Sequence, residues 1–163
     1  MNAIPEFKPQ DPDYEARVRD SFGRQPAMEH IGARLTVVWP GLCEVELPRR
    51  REILQQHGFV HGGIVGMIAD SAAGYAAFSL FPADSTVLTV EYKINLMAPA
   101  DGDLIRARAQ VTRHGRTLTI VAFDVFGENA GKTIHCATGL ATMMCVLGRA
   151  DAPRNAASTA PVR

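Results

Sequence analysis

Residues 64–81 form an apolar run broken by one charge, Asp70, and no proline falls between Pro48 and Pro82. Such a run predicts one long buried helix, entered through the glycine-containing loop Gln55-Gln56-His57-Gly58-Phe59-Val60-His61-Gly62-Gly63. At about 100° per residue, Ile64, Ile68, Ser71, Tyr75 and Phe78 share a bulky stripe. Gly63, Gly66, Met67, Asp70, Ala73, Gly74 and Ala77 form a slimmer stripe, where small residues let another surface approach. The run is long enough to span a bilayer, at about 20 residues. An acidic residue at its centre, the frequent Gly and Ala, and the lack of a second span argue instead for a core helix, so no membrane partner is expected.

Two features of this helix suggest chemistry. Gly62 and Gly63 stand at its start, where first-turn amides lack intrahelical acceptors and the macrodipole is positive, a setting that polarises a carbonyl. A carboxylate in an otherwise uncharged helix is costly unless it is paired, protonated or used, so Asp70 is either catalytic or hydrogen-bonded for structure. Eight residues separate Gly62 from Asp70, about 12 Å along one axis, too far for both to act on the same carbonyl carbon. If they cooperate, they come from two subunits related by a two-fold axis, with their helices antiparallel.

A chain of 163 residues that is 47% hydrophobic predicts one soluble globular domain. Seventeen basic residues balance seventeen acidic ones, so nothing points to nucleic acid as a partner. Cys43, Cys136 and Cys145 lie in strand-like apolar settings and are odd in number, which suits reduced thiols in a cytoplasm. Residues 1–12 mix charges with prolines and carry no apolar core of signal-peptide length, so no export is expected.

Along the chain, 13–22 reads as a short charged helix closed by Gly23, part of an N-terminal extension over 1–23. Two strands follow, 31–39 and 42–47, joined by Pro40-Gly41. Arg49, Arg50 and Arg51 form a basic cluster before Gln55, either a solvated surface or a contact for an anionic group. After the helix the period becomes two. Leu88, Val90, Tyr92, Ile94 and Leu96 alternate with Thr89, Glu91, Lys93 and Asn95, predicting a long strand with one core face. A strand over 105–112 sets Arg106 and Arg108 on a basic outer face. Strands over 117–126 and 133–147 flank a hairpin loop at 127–132, and 148–163 has the composition of a disordered tail. Antiparallel meanders with one apolar helix to cover predict an α+β fold, a curved sheet wrapped around that helix over 24–147.

The pattern His61-Gly62-Gly63, with Asp70 nine positions after the histidine and then Gly74, resembles the hotdog-fold acyl-CoA thioesterases, specifically their phenylacetate-pathway PaaI-like branch. The resemblance runs from about Gly32 to Val146 and includes the Met97-Ala98-Pro99-Ala100 and Gly115-Arg116 turns. It implies a hotdog fold and hydrolysis of an acyl-CoA thioester to free acid and coenzyme A, with coenzyme A as part of the substrate and no metal or other cofactor. It further implies that Asp70 is the nucleophile or general base, that the Gly62 amide contributes an oxyanion hole, and that His61 holds the loop. Gln55 stands where the branch usually has Asn, as in relatives acting on aromatic or hydroxybenzoyl thioesters, and keeps the amide with a longer reach. Thr89 matches a Ser or Thr position whose hydroxyl can hold the attacking water. Active sites of this family span a dimer interface, and the dimers commonly pair into tetramers, so a homo-oligomer is expected. A thioester carbonyl is electrophilic and its thiolate leaves readily, so amide donors and one carboxylate can suffice.

Coenzyme A phosphates call for cations. Arg106, Arg108, Arg113 and Arg116 are the candidates, with Gly63 and Met67 beside the acyl group. His57 and His61 do not suit a metal pair, because glycines break the helix that such a pair needs. The segment Gly127-Glu128-Asn129-Ala130-Gly131-Lys132-Thr133 is one residue short of a phosphate loop and joins two strands. Ser71 beside Asp70 cannot form a triad with it, since adjacent helix residues diverge by about 100°. The rival reading is a non-catalytic acyl-CoA-binding module, which would have no need of the carboxylate.

Overall fold

The expected helix is present in the computed structural model, which describes residues 6–149 and 151–152, as α3 (Gly62–Phe78). It ends at Phe78, and Ser79, Leu80 and Phe81 turn the chain away by hydrogen bonds back to Tyr75, Ala77 and Phe78. Before it come α1 (Tyr14–Gly23), α2 (Pro26–Ile31), β1 (Arg34–Trp39), β2 (Leu42–Pro48) and a 3-10 turn (Arg51–Ile53). After it come β3 (Ser85–Leu96), β4 (Leu104–His114), β5 (Leu118–Asn129) and β6 (Lys132–Leu147). The strands form one antiparallel sheet in the order β1-β2-β4-β5-β6-β3, and α3 packs on the face that carries Val45, Ala107, Ala109, Val121 and Phe123. This is the expected α+β hotdog architecture.

The topology is less local than a simple meander. The chain leaves β2, runs through α3, lays β3 at the opposite edge of the sheet beside β6, and only then returns to place β4 next to β2. This crossing puts β3 alongside the flank of α3 that the other strands leave open.

Three sequence expectations change. The first strand does not begin at Ile31, because Pro26 starts α2 at a position that needs no N–H, and Gly32 ends it at φ 75°. The hairpin between β5 and β6 is tighter than 127–132. Its turn is Ala130-Gly131, with φ of 46° and 80°, the left-handed pair that two-residue hairpins require. In the tail, Asp151 accepts hydrogen bonds from Arg24 at 2.7 Å and Thr86 at 3.0 Å, so the chain is docked there, and residues 153–163 lie outside those described. The expected free thiols are found, with Cys43, Cys136 and Cys145 all buried.

The N-terminal helix is part of the core. Val18 and Phe22 are buried in the same apolar cluster as α3, and Tyr75 hydrogen-bonds Gln25 and Ser21. Arg17 closes the end of α3. It donates to the carbonyls of Phe81 at 2.7 Å, Pro82 at 2.8 Å and Phe78 at 3.3 Å, lies 4.2 Å from the Phe78 ring centroid, and pairs with buried Asp11 at 2.9 Å. Last-turn carbonyls have no helical donor, and a cation there also meets the negative end of the dipole. Arg17→Met strips those carbonyls and leaves Asp11 buried without its partner, so it is expected to cost about 3 kcal/mol in urea denaturation. A loss under about 0.5 kcal/mol would show the cap to be unimportant.

Candidate active site

The loop ahead of α3 is fastened at both ends. Leu54 and Val60 form an antiparallel bridge, Gln55 N donates to Phe59 O at 2.8 Å, Val60 N to Ala100 O at 3.0 Å, and His61 N to Ile53 O at 2.9 Å. Arg49 clamps it from outside, donating to Gly58 O at 2.6 Å and to Asp101 at 2.7 Å. Of the basic cluster, Arg49 is therefore a brace, while Arg50 turns to Glu52 and the carbonyl of His30.

His61 is the N-cap of α3. Its Nδ1 accepts from Gly63 N at 2.9 Å, which places the proton of the neutral ring on Nε2 and satisfies one of the orphan first-turn amides. The Ile64 and Val65 amides turn back to the His61 carbonyl. The Gly62 amide is left with no acceptor among the described residues. Gln55 contributes a second donor, since its Oε1 accepts from His57 N at 3.0 Å and its NH2 group has no protein partner among the described residues. Gln55, His61 and Gly62 all line one cavity of about 540 Å³, together with Phe59, Val65, Leu96, Met97 and Cys136. In this structure His61 caps α3 and holds the Gly63 amide.

Asp70 and Thr89 do not reach this cavity within one protomer. Asp70 lies two turns further along α3, about 12 Å up the axis, and Thr89 Oγ1 donates to its Oδ1 at 2.8 Å. Burial raises the Asp70 carboxyl pKa above the ordinary aspartate value, and the Thr89 hydrogen bond partly opposes that shift.

The pairing depends on a β-bulge. β3 and β6 run in register to Thr89–Met143 and resume at Glu91–Thr142, so Val90 is an extra residue and the facing of the strand reverses there. Thr89, Tyr92 and Leu96 all face α3 as a result, whereas strict alternation would put Thr89 with Glu91 and Lys93. The expected core face of this strand is also corrected, because Leu88, Val90, Tyr92 and Leu96 are each about half exposed at the sheet edge.

The remaining candidates divide. Gly63 spends its amide on His61, and Met67 lies half-buried between Gly63 and Asp70 on the small-residue stripe of α3, where the approaching surface is the chain's own β3. Arg106 is held among Glu46 at 3.0 Å, Glu128 at 3.4 Å and Glu44 at 3.9 Å, and Arg108 lies 3.5 Å from Glu44. Cross-strand pairing therefore neutralises the expected basic face, because Glu44 and Glu46 sit directly opposite Arg108 and Arg106 on β2. Arg113 and Arg116 are exposed at the other end of β4, away from the Gly62 cavity of the same protomer. Tyr75 and Phe78 are core residues in an edge-to-face chain with Phe22 and Phe81. His135 pairs with Asp124 at 2.8 Å and stacks on Phe126. Two packing contacts on this side of α3 escaped the sequence reading. Leu96 packs against Gly62 and Tyr92 against Gly66, and the only signal for them was two glycines one turn apart on a helix.

A free helix-start amide, a side-chain amide beside it and a carboxylate on the same buried helix match the requirements of thioester hydrolysis. Comparison with known proteins gives the same class. A thioesterase-superfamily model matches residues 57–134. The crystal structure of a thioesterase family protein from Silicibacter pomeroyi is 46% identical, covering 83% of this chain and 99% of that one, with a TM-score of 0.81. The chain belongs to the thioesterase superfamily and is a thioester hydrolase. A 1,4-dihydroxy-2-naphthoyl-CoA hydrolase from Listeria monocytogenes is 27% identical over 100 residues, 61% of this chain and 81% of that protein. The PaaI protein of the E. coli phenylacetic acid degradation operon, at 19% identity, shares the fold with a TM-score of 0.75 over 86% of this chain and 99% of that one. No helix among the described residues is long and apolar enough to cross a membrane.

A carboxyl with a raised pKa is less at ease charged in the fold than in the unfolded chain, so near neutral pH the charge of Asp70 subtracts from stability. Asp70→Asn removes that cost and keeps an acceptor for Thr89. Its melting temperature at pH 7 is expected to equal or exceed the wild type's, and a drop of several degrees would make Asp70 a structural residue.

Proposed function

We propose that this protein hydrolyses an acyl-CoA thioester to the free acid and coenzyme A, at a site shared between two copies of the chain. Gly62 N–H and the Gln55 NH2 of one protomer receive the carbonyl oxygen. Asp70 of the partner subunit takes a proton from water as the water oxygen bonds to the carbonyl carbon. The tetrahedral oxyanion then collapses, the C–S bond breaks, and the thiolate leaves with that proton. Thr89 holds one oxygen of its own Asp70, so the other is free for the water, and the raised carboxyl pKa makes Asp70 a stronger base.

The observation that carries this reading is the separation on α3. The Gly62 donor and the Asp70 carboxylate share one helix yet lie about 12 Å apart, so one protomer offers each half of a site and completes neither. Support for a second copy comes from β3, an edge strand on which Leu88, Val90, Tyr92 and Leu96 are exposed, with Met97 exposed just after it. An apolar edge of that length is a pairing surface, and a two-fold axis near Gly66, midway between Gly62 and Asp70, joins the halves. Further pairing of dimers, a cytoplasmic location and an aromatic acyl group extend the reading. Arg113 and Arg116 are the cations of the four that remain for coenzyme A phosphates, since Arg106 and Arg108 are occupied by carboxylates.

The test is thiol release from aromatic and straight-chain acyl-CoAs. Wild type is expected to turn over at least one, and Asp70→Ala to lose at least about 100-fold in kcat. Tight acyl-CoA binding with no thiol release from any thioester would instead establish the binding module. Thr89→Val removes the hydrogen bond that lowers the Asp70 pKa, so the acid limb of its kcat/KM profile is expected at higher pH than in wild type. An acid limb left in place would separate Thr89 from the titration of the base.

A further inference from the structure

Tyr92 is the one β3 side chain facing α3 whose polar group has no protein partner among the described residues. Thr89 Oγ1 is committed to Asp70, and Leu96 is apolar and lies against Gly62, with its Cδ1 2.9 Å from where a methyl on that glycine would stand. Tyr92 reaches over Gly66, its Oη 3.3 Å from the corresponding position there. The side chain remains about half exposed. Tyr75, which belongs to the helix itself, is buried and has both Gln25 and Ser21 at its hydroxyl. A phenol laid across a helix glycine at a sheet edge, with its hydroxyl unspent, is arranged to meet something that the protomer does not supply.

Its position says what that is. Gly66 lies four residues from both Gly62 and Asp70, about 6 Å along the axis from each. In the two-fold arrangement the reacting carbonyl sits where Gly62 of one chain meets Asp70 of the partner subunit, so the Tyr92 hydroxyl, over Gly66, stands about one helical turn from the reaction centre. We propose that Tyr92 is a specificity-determining residue, whose hydroxyl hydrogen-bonds a polar substituent on the acyl group about one helical turn from the thioester carbonyl. This rests on the thioesterase reading above. The Val90 bulge brings the residue into place, because it turns Tyr92 and Thr89 to the same side of the strand only three positions apart. Gly66 is the second requirement. A methyl there would stand 3.3 Å from the hydroxyl, closer than ordinary contact, and would shift it.

The experiment compares kcat/KM for para-hydroxybenzoyl-CoA and benzoyl-CoA in wild type and Tyr92→Phe, which keeps the ring and its packing. The para-hydroxyl carries its oxygen about one turn of helix from the carbonyl. The ratio of the two values is expected to favour the hydroxylated substrate in wild type and to fall at least about 10-fold in the variant, as for loss of one hydrogen bond in a closed site. An unchanged ratio, including an equal loss on both substrates, would overturn the assignment of Tyr92 and leave the hydrolase reading standing. Turnover of neither thioester by wild type, nor of any in the wider panel, would overturn the hydrolase reading and this assignment together.

Discussion

The stiffness of α3 governs the rest of the molecule. A hydrogen-bonded helix fixes the distance between any two of its residues, and α3 is sheathed by the sheet and closed at its end by Arg17, so it cannot bend to bring Gly62 and Asp70 together. Each protomer therefore presents a donor pair at one place and a carboxylate at another. Chemistry between them requires a second chain related by a two-fold axis, and the side of α3 that carries Gly62, Gly66 and Asp70 is covered by the chain's own β3, whose exposed edge is where that second chain would join.

Each half of the proposed site is stabilised by its own local device. At the helix start, the His61 cap takes the Gly63 amide and leaves the Gly62 amide free, and the Arg49 clamp steadies the loop that carries Gln55. At the helix middle, desolvation and the Thr89 hydroxyl act on the Asp70 carboxyl in opposite directions, and desolvation prevails. A protein selected only for stability would gain by losing that charge. Its presence on a helix otherwise free of charges is the kind of cost that functional sites carry.

Much of this was legible in the sequence because the helix is a long uninterrupted signal. The run over 64–81, its single charge and its glycine-rich entry gave the helix, the candidate donors and the separation that calls for a partner. What was not legible depended on strand order or on single insertions. Val90 breaks the two-residue alternation without altering its appearance, since apolar Leu88, Val90 and Tyr92 keep the pattern while the bulge reverses which of them face the helix. The ion pairs of Arg106 and Arg108 follow from β4 lying beside β2, an adjacency created by the crossover through β3 and invisible to a local reading. Pro26 and Gly32 did mark α2, a short helix that strand-like Ile31 and its neighbours concealed.

The claim on which the account turns is that donors and base come from different chains, and mixing two defective variants measures it directly. Asp70→Ala and Gln55→Ala, each purified and then unfolded and refolded together in equal amounts, form hybrid dimers in which one site carries both substitutions and the other carries neither. The account predicts that thiol release from a thioester the wild type hydrolyses recovers to about a quarter of the wild-type rate, since half the dimers are hybrid and each holds one intact site. A mixture no more active than the average of the two variants would contradict it and place the whole site within a single protomer.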